Sequence, residues 1–321
     1  LSAESLQWEQ FLKHISNNGE FTNYVCGDYK GFDTRISKAV LEQVAQIFLT
    51  ISSMGGMSDN DLTFLRSCLG IIISPIIVWE GHVIKMANGQ PSGQPFTVEM
   101  NSVANSLLVR AAYYKIMDLH YPQYANSSFR DYVKLATYGD DNAMGISEKI
   151  PKFNHTTIQS VMKGWGIDYT MADKGATSVP YIPLKQVSFL KRSPVFNPEV
   201  GLMAPIEEES FKKTLYYYVR PSNTPLTFRE QFISQCHNAS RQAAQYGRTY
   251  YDKFARDLEF IRKGTEIYEC KHKDPEEFAV MWEDLVLPTY DEILAGWKIR
   301  KYGPTVSEFA FRISSQLPHC S

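Results

Sequence analysis

Short apolar runs alternate with helically spaced apolar residues as far as Pro205, and helical spacing dominates beyond it. That pattern predicts an α+β region followed by a mainly helical one. Phe21-Thr22-Asn23-Tyr24-Val25-Cys26 reads as a strand ending at Gly27-Asp28, after which Ala39, Val40, Val44, Ile47 and Phe48 follow a helical period. The most apolar run, Ile71–Trp79, holds Pro75 and is expected to form buried strands around a bend, being too short to cross a bilayer. Pro91, Gly93 and Pro95 break regular structure before Phe96, Val98, Met100, Val103, Leu107, Leu108 and Ala111, an amphipathic helix. Leu135–Tyr138 and Ala143–Ile146 read as two strands joined by Gly139-Asp140-Asp141-Asn142, which are turn residues. In the last third, helices are expected from Thr224-Pro225 to Tyr246-Gly247, from about Arg248 to Lys263, from Asp274-Pro275, and after the capping box Thr289-Tyr290-Asp291-Glu292.

Composition narrows the picture only slightly. At 321 residues the chain can bury a sizeable core and is expected to hold more than one structural unit. Its formal net charge of -2 gives no sign for or against nucleic-acid binding. Five scattered cysteines (Cys26, Cys68, Cys236, Cys270 and Cys320) lack metal-binding spacing and are expected to be reduced thiols. No transmembrane segment is evident. The start at Leu1-Ser2-Ala3-Glu4 carries neither an initiator methionine nor a signal segment, as expected of a chain cut from a precursor or shortened.

The acidic turn carries the chemistry. Aspartate and glycine favour turns everywhere, so Asp140-Asp141 alone reads as an ordinary turn. Asp28, however, falls at the end of the predicted strand, and pairing of that strand beside the hairpin would make Asp28 and Asp140 converge. Carboxylates together with substrate phosphates are the usual ligands of magnesium. Two such ions about 3.5–4 Å apart can serve an in-line phosphoryl transfer. The loop Gly89–Gly93 could let backbone approach a nucleotide closely, and Thr97 and Asn101, four apart, share one helix face.

In order and spacing, Asp28-Tyr29-Lys30-Gly31-Phe32-Asp33, then Gly89–Gly93 with Thr97 and Asn101, then Tyr138-Gly139-Asp140-Asp141 resemble motifs A, B and C of the picornavirus-like RNA-dependent RNA polymerases. Ala172-Asp173-Lys174 looks like motif D and Phe189-Leu190-Lys191-Arg192-Ser193 like motif E. Taken alone, a lysine in Asp-Lys-Gly reads as a solvated turn residue and Lys-Arg as a solvated charge pair; five motifs in family order change that reading. The resemblance implies a right-hand polymerase, with palm and a partial fingers insertion (about 50–90) over residues 1–205 and a thumb over 206–321. It implies that Asp28, Asp140 and Asp141 hold two Mg2+ ions, for which Mn2+ can substitute. Asp33, Ser92, Gly93, Thr97 and Asn101 would bind the nucleotide and read its ribose, Lys174 would donate a proton to pyrophosphate, and Lys191 and Arg192 would grip the primer. RNA template and primer, NTPs, a small viral protein primer and other replicase proteins are the implied partners, in the host cytoplasm at membrane-associated replication complexes.

Two rivals stand beside that expectation. Reverse transcriptases share a Tyr-x-Asp-Asp turn, but the position where they typically carry an aromatic gate is here Asp33, which favours ribonucleotides. A non-catalytic RNA-binding or assembly module is the rival of a different class: intact carboxylates argue against it. For it stands the shortness of the 27 residues before Asp28, where the family places most of the fingers and a basic motif for the triphosphate. The chain by itself is therefore expected to elongate RNA poorly or not at all. Tyr216-Tyr217-Tyr218, Arg241, Arg248, Lys253 and Arg256 could contact duplex backbone, although core packing or a solvated face suits most of them better.

Overall fold

The fold is taken from a computed structural model that describes residues 2–91, 93–124, 127–173, 175–216, 228–269 and 285–303. It divides into two compact units, Phe11–Leu190 and a second made of Leu1–Gln10 with Lys191–Ser321. Compactness thus changes hands between Leu190 and Lys191, whereas the expected palm–thumb boundary lies between Pro205 and Ile206.

In the first unit, β1 (Asn23–Tyr29) lies inside a four-stranded antiparallel sheet with β4 (Val133–Tyr138), β5 (Asp141–Ile146) and β6 (Tyr169–Met171), in the order β4-β5-β1-β6. Strand β1 is apolar through Tyr24, Val25 and Cys26 because neighbours flank it on both sides and its side chains are buried. The helix α5 (Thr97–His120) packs on β4, burying Met100, Ala104, Leu108, Val109, Ala112 and Tyr113 at helical spacing. Also packed on α5 are α3 (Lys38–Met54) and α7 (His155–Gly164). Both are capped: Ser37 accepts from the Val40 amide and Asn154 from the Thr157 amide. Gly145 has no room for a side chain, since a Cβ there would lie 1.7 Å from the carbonyl oxygen of Ile15.

The run Ile71–Trp79 departs from expectation. Ser58 caps α4 (Asp59–Ile73), and the helical repeat Leu62, Leu65, Leu69 and Ile73 carries straight through the β-branched residues 71–73. Pairwise packing of α4 on α3 outweighs their strand propensity, and Pro75 then ends the helix region. Only Ile76–Trp79 (β2) is a strand, pairing with β3 (His82–Lys85), and it is not buried: Val78 is 75% and Trp79 62% exposed.

The second unit is mainly helical, as its spacing predicts. After the hairpin β7 (Val195–Asn197) and β8 (Gly201–Met203) come α8 (Glu208–Lys213), α9 (Phe228–Ala244), α10 (Arg248–Glu269) and the helix Tyr290–Tyr302. Its core joins Val200, Met203, Phe211, Phe254, Leu258 and Trp297. Thr289 and Glu292 form the expected capping box. The expected helix openings at Thr224-Pro225 and Asp274-Pro275 lie outside the described residues. Lys301 is buried and donates to the carbonyls of Val200 and Leu202, with Glu9 3.5 Å away. Among the described residues no helix is long and apolar enough to cross a membrane. Cys26, Cys68 and Cys236 are free thiols.

Candidate active site

Register brings the acids to one end of the sheet. In the β1–β5 ladder Gly27 faces Asn142, so the next residue on β1, Asp28, comes beside Asp141. Tyr138 pairs with Asp141, which leaves Gly139 and Asp140 as a two-residue turn, with Gly139 at φ +61° where an L side chain would be strained. Asp28, Asp140 and Asp141 are half-buried. The Asp141 carboxylate accepts from the Leu190 amide, and burial, reinforced by the charges of Asp28 and Asp140, pushes its pKa up to about 7. The three carboxylates therefore sense one another.

Such a set of hard oxygen donors under mutual repulsion suits a divalent cation, which would neutralise charges that the fold holds close. Among the described residues, no three His, Cys, Asp or Glu side chains come close enough together to hold a metal by themselves. The donor chemistry fits magnesium when substrate phosphates supply part of the coordination.

The second half of the site joins motif A to α5. Asp33, in the short helix α2 (Phe32–Arg35), accepts a 2.7 Å hydrogen bond from Asn101 Nδ2. Asn101 is buried, and its Oδ1 has no partner among the described residues. The same junction holds Gln90, whose backbone amide donates to the Asp33 carbonyl at 2.6 Å. Gly89 there would set a Cβ 2.7 Å from that carbonyl, so the loop passes against motif A closely enough to require glycine. Thr97 opens α5 and bonds back to the Gln94 carbonyl, and Gly93 is exposed at φ +83°.

The remaining predicted residues fall elsewhere or are not described. Ser92 and Lys174 lie outside the described residues. Lys191 and Arg192 belong to the second unit, where Lys191 is exposed and its carbonyl accepts from the Glu207 amide. The guanidinium of Arg192 donates to the Ala204 carbonyl at 2.7 Å and to Gln242 at 3.2 Å, and burial lowers its pKa. Arg241 bonds Glu4, and Arg248 bonds Asp291 while lying 4.5 Å over the Tyr290 ring, so both are engaged within their own unit.

Sequence reasoning missed a polar row on α5. Ser102 accepts from the Gly139 amide at 2.8 Å, and its carbonyl accepts from Thr137 Oγ1 at 3.0 Å. One turn further along, the fully buried Asn105 bonds to the backbone of the acidic turn. The signal was present: Asn101, Ser102 and Asn105 interrupt an apolar stripe at helical spacing, and buried amides need partners.

The family model of viral RNA-dependent RNA polymerases matches residues 2–261. The replicase polyprotein of Drosophila C virus is 29% identical over 258 residues, covering 78% of this chain and 14% of the polyprotein. The RNA1 polyprotein of Andean potato mottle virus is 31% identical over 219 residues, covering 66% of this chain and 29% of that one. A solved sicinivirus 3Dpol RNA-dependent RNA polymerase superposes with a TM-score of 0.67 at 16% identity, covering 93% of this chain and 55% of that chain, and so shares the fold. The chain thus spans under a third of these polyproteins and about half of the solved polymerase. With its model matched over most of its length, the chain belongs to the viral RNA-dependent RNA polymerase family.

Proposed function

We propose that this chain carries the palm, part of the fingers and the thumb of a polymerase that extends an RNA primer on an RNA template from NTPs. The observation that carries the reading is the β1–β5 register, which sets Asp28 at the acidic turn. Asp28 and Asp140, with Asp141 beside them, would hold two Mg2+ ions or Mn2+ in their place. Bound there, the ions would activate the attacking 3′ oxygen and steady the leaving one.

The chain's own residues position the rest. The Asp33–Asn101 pair faces the ribose and takes its 2′-hydroxyl as a hydrogen-bond partner, with Ser92, Gly93 and Thr97 lining the loop that approaches the nucleotide. Lys174 delivers a proton to departing pyrophosphate. Lys191 holds the primer strand, and Arg192 supports that segment through its bonds within the second unit. Because the chemistry is mainly positioning and charge neutralisation, no covalent intermediate is needed. A protein primer, other replicase proteins and membrane-associated replication in the host cytoplasm complete the proposed setting; the relatives' description as replicase polyproteins supports the replicase part of it.

A second reading is an RNA-binding or assembly fragment that keeps the polymerase fold. Primer extension with magnesium, run beside RNA binding on the chain joined to the upstream part of its polymerase, separates the two. Template-dependent longer products are expected. RNA binding with no extended product would overturn the polymerase reading.

A further inference from the structure

One buried carboxamide meets the acidic turn from below. Asn105 Nδ2 lies 3.1 Å from the carbonyl oxygen of Gly139, 2.8 Å from that of Asp140 and 3.2 Å from that of Asp141. Its Oδ1 accepts from the Tyr29 hydroxyl at 3.0 Å and from Asn142 Nδ2 at 3.3 Å. Asn142 Oδ1 in turn accepts from the Tyr169 hydroxyl at 2.8 Å. The orientation of the amide follows from its surroundings: carbonyls alone face Nδ2 and donors alone face Oδ1, so a flip would set oxygen against three carbonyls.

The placement of these partners matters more than their number. Tyr29 is the neighbour of Asp28, and the carbonyls belong to the turn that carries Asp140. Asn105 therefore touches both acid-bearing segments at once, from a helix whose apolar face is buried along its length. Tyr29, Asn105, Asn142 and Tyr169 are all buried, so each lost bond leaves a polar group without water to replace it.

We propose that Asn105 is a positioning residue that fixes the backbone of the acidic turn relative to the strand bearing Asp28; its consequence for catalysis rests on the polymerase reading above. It touches no substrate and acts by holding the turn. Displacing catalytic groups by about 1 Å can cost on the order of 10²-fold in rate.

The test uses Asn105→Leu, which keeps the branched heavy-atom shape but is bulkier and cannot hydrogen-bond, and Tyr29→Phe, which removes one oxygen, each within the full polymerase. Amide hydrogen exchange is read on peptides covering Gly139–Asn142 and on the strand Asn23–Cys26, beside kcat and KM for NTP. Exchange at the turn should accelerate by about tenfold or more in Asn105→Leu, and less in Tyr29→Phe, while the strand stays protected. For Asn105→Leu kcat should fall on the order of 10²-fold with KM within about threefold. Unchanged exchange at the turn, or a rise in KM with kcat preserved, would overturn the proposal. If Asn105→Leu does not fold, Tyr29→Phe decides by the same exchange reading. Asp140→Asn separates the two claims: its chemical step should slow by about 10²-fold or more with turn exchange unaltered, and a normal rate would defeat the polymerase reading while leaving the exchange result to judge Asn105.

Discussion

At Gly27 the sheet has no space for even one methyl group. A Cβ there would lie 1.9 Å from the Tyr169 hydroxyl, which is bonded to Asn142 beneath the acidic turn. Gly27→Ala should therefore destabilise by about 1–3 kcal/mol, read from urea unfolding, because the ring of a fully buried tyrosine must move. Asp33 and Asn101 make a second residue-scale prediction. A site whose polar groups are built for a 2′-hydroxyl loses them as partners when a deoxynucleotide binds. Asn101→Ala should lower the NTP-to-dNTP ratio of kcat/KM on the order of 10²-fold; an unchanged ratio would remove the pair from sugar selection. That Asp28 meets the acidic turn was legible from the strand and hairpin signals, whereas Asp33 and Asn101, which the structure joins by a hydrogen bond, came forward only through the motif resemblance. The place of Asn105 on the apolar stripe was legible, but its bonds to the turn were not, since they reach across 34 to 36 residues and depend on the register of β4 and β5.

Among the elements, α7 offers a test through pH. His155 at its start is buried, bonds Ser178 Oγ at 2.7 Å and stacks on Tyr169 at 4.9 Å. Burial lowers its pKa from 6.5. The unfolded chain takes up the proton at the ordinary value and the folded chain resists it, so this contribution is full above about pH 6.5 and is lost as pH falls below it. His155→Phe keeps the ring and removes the titration. Its urea midpoint should depend less on pH between about 7 and 5 than that of the parent chain; parallel curves would contradict this. The elements themselves were readable where one period held, as in α5 and the β4–β5 hairpin. Ile71–Trp79 was not, because apolar runs of that length fit helix and strand alike, and the deciding cap at Ser58 lies far outside the run.

For the whole molecule, the order of motifs conveyed the architecture, while the division of units did not show in composition. Large apolar side chains are exposed on the hairpin β2–β3, at Val78, Trp79 and Val83, and on α3 and α4, at Met54, Phe64 and Ile71. By itself the chain should elongate RNA far more slowly than a version extended upstream, at equal primer-template and magnesium; equal rates would show that the added residues are dispensable. Single-turnover incorporation of one NTP in the full polymerase decides whether Asp28 and Asp140 act together on a nucleotide. Against the parent protein, Asp28→Asn and Asp140→Asn should each lower the chemical step by about 10²-fold or more with RNA affinity and thermal melt retained. A normal incorporation rate in either variant would contradict the account.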